Sequence, residues 1–140
     1  MKHVHNDNNW IIRLNKDERL VELLQKFASE QNIHSAWISG IGGAQWAELG
    51  FYDLKAKQYQ WHEFSELLEI TNLSGNIAWQ NGKPVIHIHG TFSDRQMKAI
   101  GGHVKELVVG GTCEIFLRHW QGNQITRFTD NNTGLNLLGL

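Results

Sequence analysis

The sequence predicts an α+β domain on three observations: one helical run of apolar residues near the start, a change to alternating patterning from Ile33 onward, and frequent turn residues between the alternating segments. Side chains repeat about every 3.6 residues along a helix and every 2 along a strand, so the change of period marks a change of element. One helix set against strands belongs to the α+β class.

After a polar start, Trp10-Ile11-Ile12-Arg13-Leu14 reads as a short strand. Asn15 then opens a helix, with Glu18 three residues on in a capping-box arrangement. Leu20, Leu23, Leu24, Phe27 and Ala28 follow on one face, which predicts a helix over 16–31 packed on a sheet. Candidate strands lie at 34–39, 47–54, 58–64, 67–79, 85–92, 112–120 and 124–128. Turn signals separate them at Ser39-Gly40-Ile41-Gly42-Gly43, Asn81-Gly82, Gly101-Gly102, Gly110-Gly111 and Gly122-Asn123. The expectation is one domain over 1–140 with an ordered core at about 10–128, a frayed start and a loose tail from Asp130.

The sharpest local prediction is a hairpin. Asn81-Gly82 suits a two-residue turn whose central positions both need positive φ. That turn pairs Gln80 with Lys83 and sets the register, so Trp79 faces Pro84, Asn76 faces His87 and Ser74 faces His89. Pro84 is tolerated if the Trp79/Pro84 pair is a non-hydrogen-bonded one.

Composition excludes several functions. The 140 residues are 41% hydrophobic and carry 13 Lys+Arg against 14 Asp+Glu, which fits one domain with a real core. A net charge of -1 gives no basic footprint for non-specific nucleic-acid binding. Cys113 is the single cysteine, so there is no disulfide framework or cysteine-rich zinc site, and a reducing, cytoplasmic location is expected. No secretion signal or run of apolar residues long enough to span a membrane is present.

The histidines carry the chemistry. His87-Ile88-His89 lies on a predicted strand, so both imidazoles share a face, with Cα atoms roughly 6.5 to 7 Å apart. The other face carries Ile86, Ile88 and Phe92, as a buried face should, and the histidine face is the unusual one. Twelve and thirteen residues after His89, Gly101-Gly102 offers a flexible pair able to turn the chain and present His103 to the same site. Three histidines without a thiolate leave a tetrahedral position open for water or a ligand and bring bound water toward a pKa of about 7. Spacing alone leaves two readings open, metal binding or solvated strand histidines. His3-Val4-His5 repeats the spacing and is an adventitious metal binder to be controlled, whereas His34, His62 and His119 are isolated.

Other motifs have plainer readings. The Ser39–Gly43 glycines lack the Gly-Lys-Ser/Thr of a phosphate loop and read as a tight turn or close backbone contact. Cys113 alternates with Ile115 and Leu117, which points to burial. Six tryptophans fit core and interface packing. Glu66, Glu69 and Glu114 are acidic candidates without an assigned role.

The ordered set of motifs resembles the PPC domain family, also called PCC or DUF296, in its standalone prokaryotic form. The resemblance rests on Ser39-Gly40-Ile41-Gly42-Gly43-Ala44, Leu49-Gly50-Phe51-Tyr52-Asp53, Leu68-Glu69-Ile70 with Leu73-Ser74-Gly75-Asn76-Ile77, His87-Ile88-His89-Gly90-Thr91-Phe92-Ser93, Gly101-Gly102-His103 and Cys113-Glu114-Ile115. It covers about Trp10 to Phe128 and implies a mostly antiparallel, strongly curved sheet with one main helix packed on it, assembled as a homotrimer. In prokaryotic members the three-histidine motif is associated with a bound metal, usually taken as zinc, which carries over onto His87, His89 and His103. Glu69 and Glu114 match family positions without a settled role. Plant relatives join the domain to AT-hooks, but the single proline here, Pro84, stands in no AT-hook context.

Two functions follow as expectations. One is a trimeric protein with a divalent metal, zinc by preference, whose open position binds a small ligand or supports hydrolysis, with Ser74 and Asn76 orienting the imidazoles. The alternative is a DNA-associated or transcription-associated scaffold without an AT-hook, acting through protein partners.

Overall fold

The computed structural model describes residues 1–140. Nine strands and one helix run in the order β1 (Lys2–Asn6), β2 (Asn9–Asn15), α1 (Leu20–Glu30), β3 (Ala36–Asp53), β4 (Gln58–Phe64), β5 (Leu68–Gln80), β6 (Lys83–Ser93), β7 (Ala99–His119), β8 (Thr126–Thr129) and β9 (Asn136–Gly139). All pairings are antiparallel except the single bridge between Trp79 of β5 and Thr126 of β8. The α+β class, with one helix against a mostly antiparallel sheet, is as the sequence predicts.

β3 pairs β5, β5 pairs β6, β6 pairs β7 and β7 returns to β3, so the central sheet closes on itself. Closure requires strands long enough to change partners along their length. β7 does so over 21 residues: Ala99 to His103 face β6, while its later part runs beside β3 and β2. The core forms one cluster in which Leu20, Leu24, Phe27 and Ala28 of α1 meet Ile12, Leu73, Ile88, Phe92 and Leu107.

Several sequence-based boundaries are corrected. Asp17 sits at φ 69°, in the left-handed region, and Arg19 is extended and bridges Val108, so α1 begins at Leu20 rather than residue 16. The Glu18 carboxylate does accept the Asn15 N–H at 2.7 Å, but this bond closes the turn before the helix. α1 is capped instead by Glu106 of β7, whose carboxylate accepts the N–H groups of Val21 (2.7 Å) and Glu22 (3.1 Å).

The expected strands at 34–39 and 47–54 are one strand, β3, and the glycines between them form no turn but a β-bulge between Gly40 and Gly42. A Cβ at Gly40 would lie 2.9 Å from the Glu114 carbonyl oxygen, so this is the close backbone contact that was the other reading. Gly101-Gly102 and Gly110-Gly111 likewise lie inside β7. The chain is not turned at Gly101-Gly102; the glycines let β7 press against β6 and β3.

Both ends form strands. β1 pairs all along β2, and the His3 and His5 rings pack on Trp10 at 5.3 and 4.1 Å between centroids. At the other end β9 pairs β8, where the sequence reading expected a loose tail.

Candidate metal centre

The β5–β6 hairpin has the register that its turn dictates: Gln80↔Lys83, Trp79↔Pro84, Asn76↔His87 and Ser74↔His89. Asn81 (φ 52°) and Gly82 (φ 76°) are both left-handed. The Trp79 N–H donates away from Pro84 to the Ile125 carbonyl at 3.0 Å, as a non-hydrogen-bonded pair requires. Because β6 buries Ile86 and Ile88, it turns His87 and His89 to the opposite face.

His103 reaches the pair by direct cross-strand register, since β7 sets it opposite His89 on one side and Gly50 of β3 on the other. The three rings then stand 5.1 to 5.4 Å apart between centroids. Each offers a nitrogen within 4.8 Å of the others. Tyr59 of β4 packs on His103 at 4.9 Å, with Trp61 behind it at 5.9 Å.

Burial governs the protonation of two rings. It lowers His87 from 6.5 to about 4, the Arg127 charge and His89 adding to the effect. His103 also falls to about 4, by burial first and then by His87, His89 and Arg127. Both are therefore neutral at pH 7, the form that ligates metals.

The donor set fits a metal. Zinc–nitrogen bonds of about 2.0–2.1 Å in a tetrahedron place ligand nitrogens about 3.4 Å apart, and the nitrogens here already lie within 4.8 Å of one another. His103 Nδ1 is buried and has no hydrogen-bond partner in the protein, a cost that a bound cation would remove. No cysteine or carboxylate belongs to the cluster.

The expected roles of Ser74 and Asn76 come out differently. Ser74 is opposite His89 in register, but its hydroxyl makes no bond to that ring. Asn76 acts on Arg127, accepting Nη2–H on Oδ1 at 2.6 Å, and the same Nη2 lies 3.2 Å from His87 Nδ1. Arginine only donates, so the Nδ1 lone pair receives that contact. The Arg127 Nη1 donates to the Asn136 carbonyl at 2.7 Å, tying β8 and β9 to the histidine face.

Arg127 was not anticipated from the sequence. His87 and His103, with Arg127, Tyr59, Asn136 and Leu137, line a cavity of about 670 Å³. Glu69 and Glu114 are both exposed and line a different cavity, beside Gly42, Gly43 and Arg95, which contains none of the three histidines.

Comparison with known proteins places these features. The family model of the Plants and Prokaryotes Conserved (PCC) domain matches residues 1–121. A metal-containing protein from Archaeoglobus fulgidus is 35% identical, with TM-score 0.90 over 96% of this chain and 94% of that one. A "Putative DNA-binding protein" from Ralstonia eutropha JMP134 is also 35% identical, with TM-score 0.93 over 99% and 96%. A plant- and prokaryote-conserved (PPC) protein from Pyrococcus horikoshii is 26% identical, with TM-score 0.90 over 99% and 94%. No curated protein matches.

Proposed function

The chain belongs to the PCC domain family, and from that premise we propose that it is a metal-binding protein in which His87, His89 and His103 hold one divalent ion, zinc by preference. The observation that carries this reading is the convergence of three imidazoles from two strands, with nitrogens within 4.8 Å of one another and no competing thiolate or carboxylate. The 35% identical relative described as metal-containing supports it. Such an ion supplies Lewis acidity and lowers the pKa of a bound water. Burial holds the His87 and His103 rings neutral, β6 turns its hydrophobic side away from the histidines, and a cavity beside His87 and His103 is left for a small ligand.

Assembly as a homotrimer belongs to the same reading. Its support is an exposed apolar stripe on β2, β3 and β7, where Ile11 (55% exposed) pairs across with Phe116 (45%), and Trp37 (58%) and Ile41 (57%) flank them. A stripe of this kind on a folded surface is a mark of an interface.

The deciding experiment is metal content by elemental mass spectrometry on tag-free protein. About one ion per chain, lost in His87→Ala/His89→Ala and kept in His3→Ala/His5→Ala, is the expected result. Loss only in the second variant would assign the metal to β1 and end the proposal.

DNA binding is the second reading, favoured by the name of the Ralstonia relative. The net charge of -1 opposes it. A gel shift that shows a salt-sensitive complex would restore it.

A further inference from the structure

We propose that the cavity beside the histidines is a binding site for a small carboxylate, with Arg127 as the residue that pairs with the carboxylate group. The inference rests on the metal-site reading in that His87 and His103 line the same cavity, and it adds the chemical class of the ligand.

The first observation is a buried cation without a counter-charge. Arg127 is only 8% exposed and makes no ion pair. Its Nη donors reach the neutral acceptors of Asn76 and Asn136 and the His87 ring, and Nε is buried with no partner at all. Burying an unpaired guanidinium is costly, and proteins offset that cost by pairing the charge. The second observation is the lining of the cavity: it includes Lys57 as well as Arg127, and not one Asp or Glu. An ion held by three neutral imidazoles would make the same space still more positive.

The third observation is an inverted strand. Along β8 the apolar Phe128 is 51% exposed, while the charged Arg127 beside it points inward. Packing alone would choose the opposite facing. The guanidinium carries the charge that a carboxylate would balance and keeps one Nη1–H without a protein partner, and the cavity of about 670 Å³ suits a small molecule. Tyr59 and Leu137 supply apolar walls against which the body of such a ligand can rest.

The test is titration calorimetry with sodium benzoate as the probe, benzamide as its uncharged counterpart and inorganic phosphate as the competing oxyanion. Wild type, Arg127→Gln and Arg127→Lys are compared, with folding checked by near-ultraviolet circular dichroism and metal content measured on every sample. Saturable benzoate binding is expected, weakened about tenfold to a hundredfold in Arg127→Gln and less in Arg127→Lys, which keeps the charge but not the fork. If Arg127→Gln does not fold, the Lys variant and the benzamide comparison carry the test. Benzoate bound equally by a folded Arg127→Gln, or benzamide bound as tightly as benzoate, would overturn the proposal. Phosphate bound more tightly than benzoate would overturn the carboxylate assignment. Arg127-dependent benzoate binding by protein that holds no metal would support the anion site while ending the metal reading, so the two failures are distinguishable.

Discussion

At the scale of single residues, two imidazoles of the site, His87 and His103, are held uncharged by burial beside the Arg127 guanidinium. His87 and His103 titrate near 4 in the folded chain and near 6.5 when unfolded, so between those values the unfolded chain binds more protons. Their contribution to stability is complete above about pH 6.5 and is lost as the pH falls toward 4. Metal-free protein should therefore melt at progressively lower temperature from pH 6.5 to 4, and a His87→Gln/His103→Gln variant should show a shallower decline. Equal slopes in the two proteins would refute this account. The histidines were legible in the sequence because alternation on a strand is a local rule. Arg127 was not, because only the fold shows that β8 faces Arg127 toward the cavity and leaves Phe128 outside.

At the scale of elements, the two-residue turn signal read correctly, whereas signals whose outcome depends on distant partners did not. The Asn81-Gly82 turn fixed the whole β5–β6 register, since two-residue turns admit few geometries. The glycine pairs of β3 and β7 read as turns because glycine serves both for a turn and for close approach, and the difference lies in the neighbouring strand. Gly75 is such a position: a Cβ there would lie 2.1 Å from the His87 carbonyl oxygen. Gly75→Ala should cost about 3 kcal/mol or more and displace His87, lowering metal occupancy along with the melting temperature. Unchanged metal content would show that β6 adapts without moving its histidines.

The start of α1 illustrates the same division. The Asn15–Glu18 pair is visible in the sequence, but the carboxylate that caps the helix comes from Glu106, 85 residues beyond Val21. Glu106→Gln keeps the size and removes the charge that faces two helix N–H groups, and denaturant unfolding should show a loss of about 1–3 kcal/mol. Metal content should not change, because Glu106 contacts α1 and not the histidine cluster.

At the scale of the whole molecule, a closed sheet has two surfaces with different work to do. One is covered by α1 and forms the core; the other carries the histidines at one end and the Ile11, Trp37, Ile41 and Phe116 stripe on β2, β3 and β7. Light scattering on a sizing column should give three times the 16.0 kDa chain mass, and Trp37→Asp/Phe116→Asp should reduce it to one chain. A trimer that survives both substitutions would place the interface elsewhere. The class of fold and the helix face were readable from periodicity. Closure was not, because it depends on long strands that exchange partners part-way along.

The β8–β9 segment has a consequence for how such a protein can diversify. His87, His89, His103 and Asn76 all lie within residues 1–121, which match the family model, whereas Arg127 and Asn136 lie after them. The segment is tied back to the rest of the chain partly through backbone carbonyls, as in the bonds from Tyr52 to Thr133 (2.8 Å) and from Lys57 to Asn131 (2.8 Å), and partly through side chains, as in those from Arg127 to Asn76 (2.6 Å) and from Gln80 to Asn136 (3.2 Å). Carbonyl anchors place little demand on the identity of the residue that supplies them. Substitution at Asn131 or Thr133 can thus leave those two anchors in place, whereas Arg127 and Asn136 hold theirs through side chains.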